Sequence, residues 1–228
     1  MTTRARLSRR QVLVSGGLAS GLLASGAWAL CTSTSLHAGQ RAGIAFGTTV
    51  TLKALHNDTR QLEAGLDAAW AEITRVQNAA NLFDPDSALS RLNRDGIIDA
   101  APPTLIALLK AGQEISEHTH GAFDVTVQPL WRLYETAYRE GRAPLASEIA
   151  AVRESIGYLN VIIDGTRVSL AKPGMAVTLN GIAQGYATER CLAALASHGI
   201  ADAFLNTGEI GVAGAREDKA PWTAAIAH

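Results

Sequence analysis

The chain has 228 residues, a formal net charge of −1, and 47% hydrophobic against 18% charged residues. That composition is globular, and the balanced charge excludes a nucleic-acid partner, which would need a basic face. Its two cysteines, Cys31 and Cys191, offer neither a metal-ligand spacing nor a disulfide framework.

The N-terminus reads as an export signal. Arg4 and Arg6 precede Ser8-Arg9-Arg10-Gln11-Val12-Leu13, which resembles a twin-arginine motif. An apolar, glycine-dotted run continues to Trp28, and Ala27-Trp28-Ala29 is a small-x-small cleavage site. The run is too short and too glycine-rich for a comfortable membrane span. Residues 1–29 are therefore expected to be a twin-arginine-type signal peptide, directing the protein to the periplasm or exterior of a bacterium. An uncleaved signal or a lipidated Cys31 would instead anchor it to the inner membrane. Residues 30–41 are small and polar and read as a linker, leaving 42–228 as the folded domain.

Ile44 to Ala54 is β-like, with Thr and Val at strand positions. Asp58 is placed to cap a long helix up to about Asn81, since Leu62, Leu66, Ala69, Trp70, Ile73, Val76 and Ala80 share one face. Trp70 belongs to that core face. Asp84-Pro85 forces a turn, after which Asp86 or Ser87 caps a short helix. Pro102-Pro103-Thr104 begins another helix, ended near Gly121. His118 and His120 lack a third ligand nearby and read as solvent-facing or capping residues. Asp124 lies between Phe123 and Val125, so a buried carboxylate there needs a partner. Backbone N–H groups and a ligand are equally good candidates.

Ser147-Glu148 starts a helix to about Ser155, and residues 158–170 form a hairpin turning at Asp164-Gly165. Lys172 to Met175 is a second turn. The stretch Val177 to Arg190 then begins as a short strand, passes Gly181 and Gly185, and becomes a helix with Ala187, Cys191, Ala194 and Leu195 inward. A glycine turn feeding a helix N-terminus presents free N–H groups to an anion. Cys191 on the apolar face reads as a buried, inert thiol. Residues 203–206 and 210–213 are strands around a Thr207-Gly208-Glu209 turn, and 221–228 alternate like one more strand.

Four blocks resemble the ApbE family of FAD:protein FMN transferases, in the family's order and spanning residues 42–228. They are Ala45-Phe46-Gly47-Thr48; Phe83 with Asp86-Ser87-Ala88-Leu89-Ser90-Arg91-Leu92-Asn93; Gly121 to Leu130; and Leu179 to Ala187 with Asn206-Thr207-Gly208-Glu209-Ile210. The resemblance, more than periodicity, implies an α+β, T-fold-like architecture with a mixed or antiparallel sheet packed against two or three long helices. It implies Mg²⁺-dependent transfer of FMN from FAD to a Thr or Ser hydroxyl of an acceptor flavoprotein, with AMP released. Membrane proximity would come only through the acceptor.

Carried over residue by residue, the resemblance assigns cofactor contacts to Phe46, Phe83, Ala122, Phe123, Asp124, Thr178 and Gln184, and a metal ligand to Gly181 through its carbonyl. Phe46 stands where the family usually has methionine. Thr178 replaces an aspartate, and Gln184 replaces a lysine or glutamate, so each removes a formal charge. The family's His-Ile-x-Asp-Pro-like block, and the aspartate and threonine that complete the metal site, have no match before His228. The chain is therefore expected to be truncated at its C-terminus and impaired as given, with its catalytic residues in the unmatched part. The alternatives are an FAD-binding or FAD-hydrolysing relative, or a non-catalytic remnant of the fold.

Overall fold

A computed structural model describes residues 35–225. The expected signal peptide and Cys31 lie outside them. Strands β1 (His37–Ala45) and β2 (Thr48–His56) form an antiparallel hairpin closed at the Ala45–Thr48 pair. Its two-residue loop is Phe46-Gly47, with φ of 53° and 74°. Two positive φ values match the right-handed twist of the flanking strands. The single β stretch expected over 44–54 is thus a hairpin, because this loop reverses the chain inside one Thr/Val-rich run. The expected linker also ends earlier. Residues 37–41 are paired with 52–56, so small polar residues become strand through the partner they meet.

Helix α1 (Thr59–Ala80) begins and ends as its sequence pattern predicts. Asp58 Oδ1 accepts the N–H groups of Arg60 and Gln61 at 2.8 and 3.2 Å. Leu62, Leu66, Ala69, Ile73, Val76 and Ala80 are buried along one face, with Trp70 half-buried beside them. Helix α2 (Ala88–Asp95) is capped by Ser87, whose Oγ accepts the Ser90 N–H at 3.1 Å. Helix α3 (Pro103–His118) starts on proline, and Gly121 closes its end by donating its N–H to the Ser116 carbonyl at 2.7 Å.

Helix α4 (Gln128–Arg139) has no counterpart in the sequence reading. Pro129 in its first turn is a start signal, but Trp131, Tyr134 and Tyr138 face solvent, so no inward stripe marks it. Helix α5 (Ala146–Arg153) packs back on α4. A single 3-10 turn at Tyr158–Asn160 replaces the start of the expected hairpin. Strands β4 (Val161–Asp164) and β5 (Arg167–Leu170) follow, and Asp164 pairs with Arg167. The turn is therefore Gly165-Thr166, one residue later than expected. With β3 (Ile97–Ile98) they form a small sheet ordered β3-β5-β4.

After helix α6 (Ala183–Ser197), β6 (Asp202–Asn206) and β7 (Ile210–Ala213) complete a sheet ordered β1-β2-β6-β7. Every pairing in both sheets is antiparallel. The fold is α+β, as expected. Residues 221–225 form no strand: the Trp222 ring packs tilted against Phe204, centroids 5.7 Å apart, and donates its Nε1–H to the Ala213 carbonyl at 2.9 Å.

The core is two apolar clusters bridged by α1. Leu62, Leu66, Ala69 and Ile73 pack with β1, β2, β6 and α6. Val76, Ala79 and Ala80 pack with α2, α3 and residues 175–179. Phe46 touches both clusters, so the hairpin loop sits where they meet. At about 25 cal/mol per Å² of apolar area, side chains such as Leu66 and Leu109 each contribute about 2 kcal/mol.

Candidate functional site

Residues 176–179 belong to neither sheet. The expected strand there finds its hydrogen bonds elsewhere. Asn93, on α2, accepts the Val177 N–H with Oδ1 at 2.6 Å and donates from Nδ2 to the Val177 carbonyl at 2.8 Å. The next N–H, of Thr178, donates to the Val125 carbonyl at 2.8 Å. Two segments distant in sequence, 121–127 and 177–182, are thereby laid side by side.

Asp124 is held by its own loop and by residue 158. Its Oδ1 accepts the Thr126 N–H at 2.7 Å and the Thr126 hydroxyl at 2.6 Å, and its Oδ2 accepts the Tyr158 N–H at 3.0 Å. Thr126 Oγ1 in turn accepts the Gly157 N–H at 2.7 Å. Backbone N–H groups, one of the two kinds of partner open for Asp124, are present, and the carboxylate pins the 121–127 loop to residues 157–158. Phe123 lies against Gly181, where an added Cβ would stand 3.2 Å from Phe123 Cε2. The absence of a side chain at 181 is what lets the two segments approach.

Between them is a cavity of about 820 Å³, within the range of small-molecule sites. Ala122, Phe123, Asp124, Thr178 and Gly181 all line it. A smaller cavity of about 250 Å³ adjoins it, lined by Phe46, Phe83, Asn180, Ala183 and Gln184 among others. Asn180 borders both cavities. The residues expected to contact the cofactor thus line two chambers that share Asn180.

The smaller chamber is built by three loops and a helix end. Phe46 is held at positive φ by the hairpin loop, and its N–H donates to Gln77 Oε1 on α1 at 3.1 Å. Phe83 is 90% exposed, so a large aromatic face stands free at the mouth. Ala183 and Gln184 belong to the first turn of α6, whose end is positive; the Ala183 N–H is already taken by the Leu179 carbonyl at 2.8 Å. The Gln184 amide packs directly on Gly208, where it would meet an added Cβ, and the Gly208 φ of 96° also disfavours a side chain. Buried Thr207 and Thr188 share a hydroxyl–hydroxyl hydrogen bond of 2.5 Å, which ties the 206–209 turn to α6.

All eight residues singled out from sequence line one chamber or the other. Sequence reasoning missed Asn180, Trp131 and Arg153, which also line them. Asn180 was visible inside the fourth block. Trp131 and Arg153 sit on α4 and α5, outside every residue-level assignment. The fit for magnesium is poor. Gly181 offers only a carbonyl, Asp124 is the one carboxylate beside it and already accepts three hydrogen bonds, and no group of three or more His, Cys, Asp or Glu is placed to hold a metal among the described residues. Octahedral Mg²⁺ is held by carboxylates, and among the described residues this chamber offers one, Asp124. A separate groove of about 660 Å³, lined by Gln40, Lys53, Arg216 and Trp222 among others, contains none of the expected residues.

Comparison with known proteins gives one family. The ApbE family profile matches residues 46–228. An FAD:protein FMN transferase of Vibrio cholerae is 29% identical over 193 residues, covering 81% of this chain and 57% of that protein. A second, from Klebsiella pneumoniae, is 29% identical over 182 residues, covering 71% of this chain and 51% of that protein. The chain thus spans about half the length of these relatives. Among solved structures, the flavin transferase ApbE from Vibrio cholerae superposes with a TM-score of 0.70 at 26% identity, over 84% of this chain and 64% of that one. The apo flavinyl transferase ApbE of Pseudomonas stutzeri gives 0.71 at 27% identity, over 83% and 65%.

Proposed function

This chain belongs to the ApbE family, and from that premise we propose that it binds FAD across the two chambers and transfers the FMN moiety to a Thr or Ser hydroxyl of an acceptor flavoprotein. The observation that carries the reading is convergence: Ala122, Phe123, Asp124, Thr178 and Gly181, from segments more than fifty positions apart, line one cavity of ligand size. The names carried by the Vibrio and Klebsiella relatives support the same activity.

In the proposed reaction the acceptor oxygen bonds to the flavin-side phosphorus. The bond from that phosphorus to the bridging oxygen breaks, AMP departs with that oxygen, and the hydroxyl proton is lost to a base or to water. Catalysis of this kind is mostly positioning and charge neutralisation. Asp124 serves the positioning, since its carboxylate oxygens are already taken by Thr126 and Tyr158. Phe46 and Phe83 supply apolar faces for a flavin or adenine ring. The positive end of α6 is suited to phosphate. Magnesium is assigned to no step of this reaction, because the described residues form no cage for it. Export through residues 1–29 would place the reaction outside the cytoplasm.

The test is an in-gel assay: the chain, FAD, Mg²⁺ and an acceptor flavoprotein bearing a target threonine. A fluorescent acceptor band that survives denaturation supports transfer. Free FMN and AMP with an unlabelled acceptor would reassign the chain as an FAD hydrolase.

A further inference from the structure

The larger chamber holds two formally charged side chains, Asp124 and Arg153. They differ in how their charge is met. The Asp124 carboxylate accepts three hydrogen bonds from Thr126 and Tyr158. The Arg153 residue is exposed, and its guanidinium has no hydrogen bond and no ion pair among the described residues, whereas Arg142, on the approach to the same helix, is bound by both Glu140 and Glu148. Arg153 sits in the last turn of α5, where the helix's negative end favours a cation without fixing its head group. The rest of the lining is apolar or neutral: Phe123, Val127, Trp131, Ile149, Thr178 and Asn180.

A chamber so lined suits a flat, neutral ring and leaves one solvent-exposed cation with no protein partner. FAD carries two charged phosphates that a riboflavin does not. We propose that Arg153 is the phosphate-binding cation of this site, pairing with the pyrophosphate of the dinucleotide and selecting FAD over unphosphorylated flavin. The inference rests on the FAD-binding reading above and adds a residue from α5, an element that none of the sequence blocks reaches. A guanidinium fits this role because its planar fork donates two parallel hydrogen bonds to phosphate oxygens, which an ammonium does not.

The experiment is a fluorescence titration of FAD and of riboflavin against the wild-type chain, Arg153→Ala and Arg153→Lys, at low and at moderate salt. The expected result is a loss of about tenfold or more in FAD affinity for Arg153→Ala, the size of one charge-assisted hydrogen bond. Arg153→Lys should recover part of it, riboflavin affinity should not change, and the salt dependence of FAD binding should flatten in Arg153→Ala. Circular dichroism melts confirm that the variants fold. Equal FAD affinity in wild type and Arg153→Ala overturns the proposal, as does a parallel loss of riboflavin and FAD, which would indicate a packing role. A wild-type chain that binds neither flavin overturns the FAD reading itself and the proposal with it.

Discussion

Asn93 occupies both main-chain groups of Val177, accepting its N–H at 2.6 Å and donating to its carbonyl at 2.8 Å across 84 positions of sequence. One amide side chain thus substitutes for a neighbouring strand. It fixes the height at which residues 178–181 enter the site, because Thr178 is the next residue and is itself bonded to Val125.

Replacing Asn93 by Ala therefore strands a buried N–H and a carbonyl. The expected cost is about 1–3 kcal/mol of stability, read from the midpoint of urea unfolding at unchanged slope. FAD affinity should fall in the same variant. Asn93→Asp, which keeps the acceptor and loses the donor, should lie between the two.

Gly181 is exposed, with ordinary φ, and its one constraint is Phe123. Gly181→Val should push the Phe123 ring into the chamber and weaken FAD binding by about tenfold or more. The thermal midpoint should move little, since no core contact is lost. A titration with unchanged affinity would show that the ring has room to retreat.

Cys191 is fully buried, with its Sγ donating to the Ala69 carbonyl at 3.2 Å. Burial, with Glu72 adding to it, pushes its thiol pKa up to about 12. In a Cys31→Ser background, the native chain should resist a thiol reagent at pH 8. It should titrate one thiol once denatured. The expectation of an inert thiol rests on this burial.

Glu72 is held below the ordinary carboxylate value of 4.5 by its hydrogen bond to Arg75, with Arg190 assisting. A depressed folded pKa means the stabilisation is full above the unfolded value and is lost as pH falls through the folded one. The stability difference between wild type and Glu72→Gln should be flat above pH 4.5. It should shrink below that value. Its size should stay under about 1 kcal/mol, because both arginines are half-exposed and screened.

How much of this was readable in sequence depended on whether a signal was local. The cap at Asp58, the cap at Ser87 and the α1 stripe are local, and each formed where the pattern put it. The β1–β2 hairpin was hidden because Phe46 is a poor advertisement for positive φ. Helix α4 was hidden because its large side chains point outward, so there was no inward periodicity to find. In the site, motif residues could be named from their blocks, but not the partition into two chambers. That partition depends on Asn180, and on hydrogen bonds such as Asn93 to Val177 that join distant segments. Arg153 carries no local motif and becomes visible only once α5 is folded against the chamber.

If FAD occupies the two chambers around Asn180, the most direct measurement is an equilibrium FAD titration of the wild-type chain, Asn180→Trp and Lys53→Ala. Lys53 lines the separate groove and serves as the control. Occupancy of the chambers predicts saturable binding by wild type, unchanged binding by Lys53→Ala, and loss of binding when an indole fills the wall shared by both chambers. Wild-type binding that survives Asn180→Trp, or that disappears in Lys53→Ala, would contradict it.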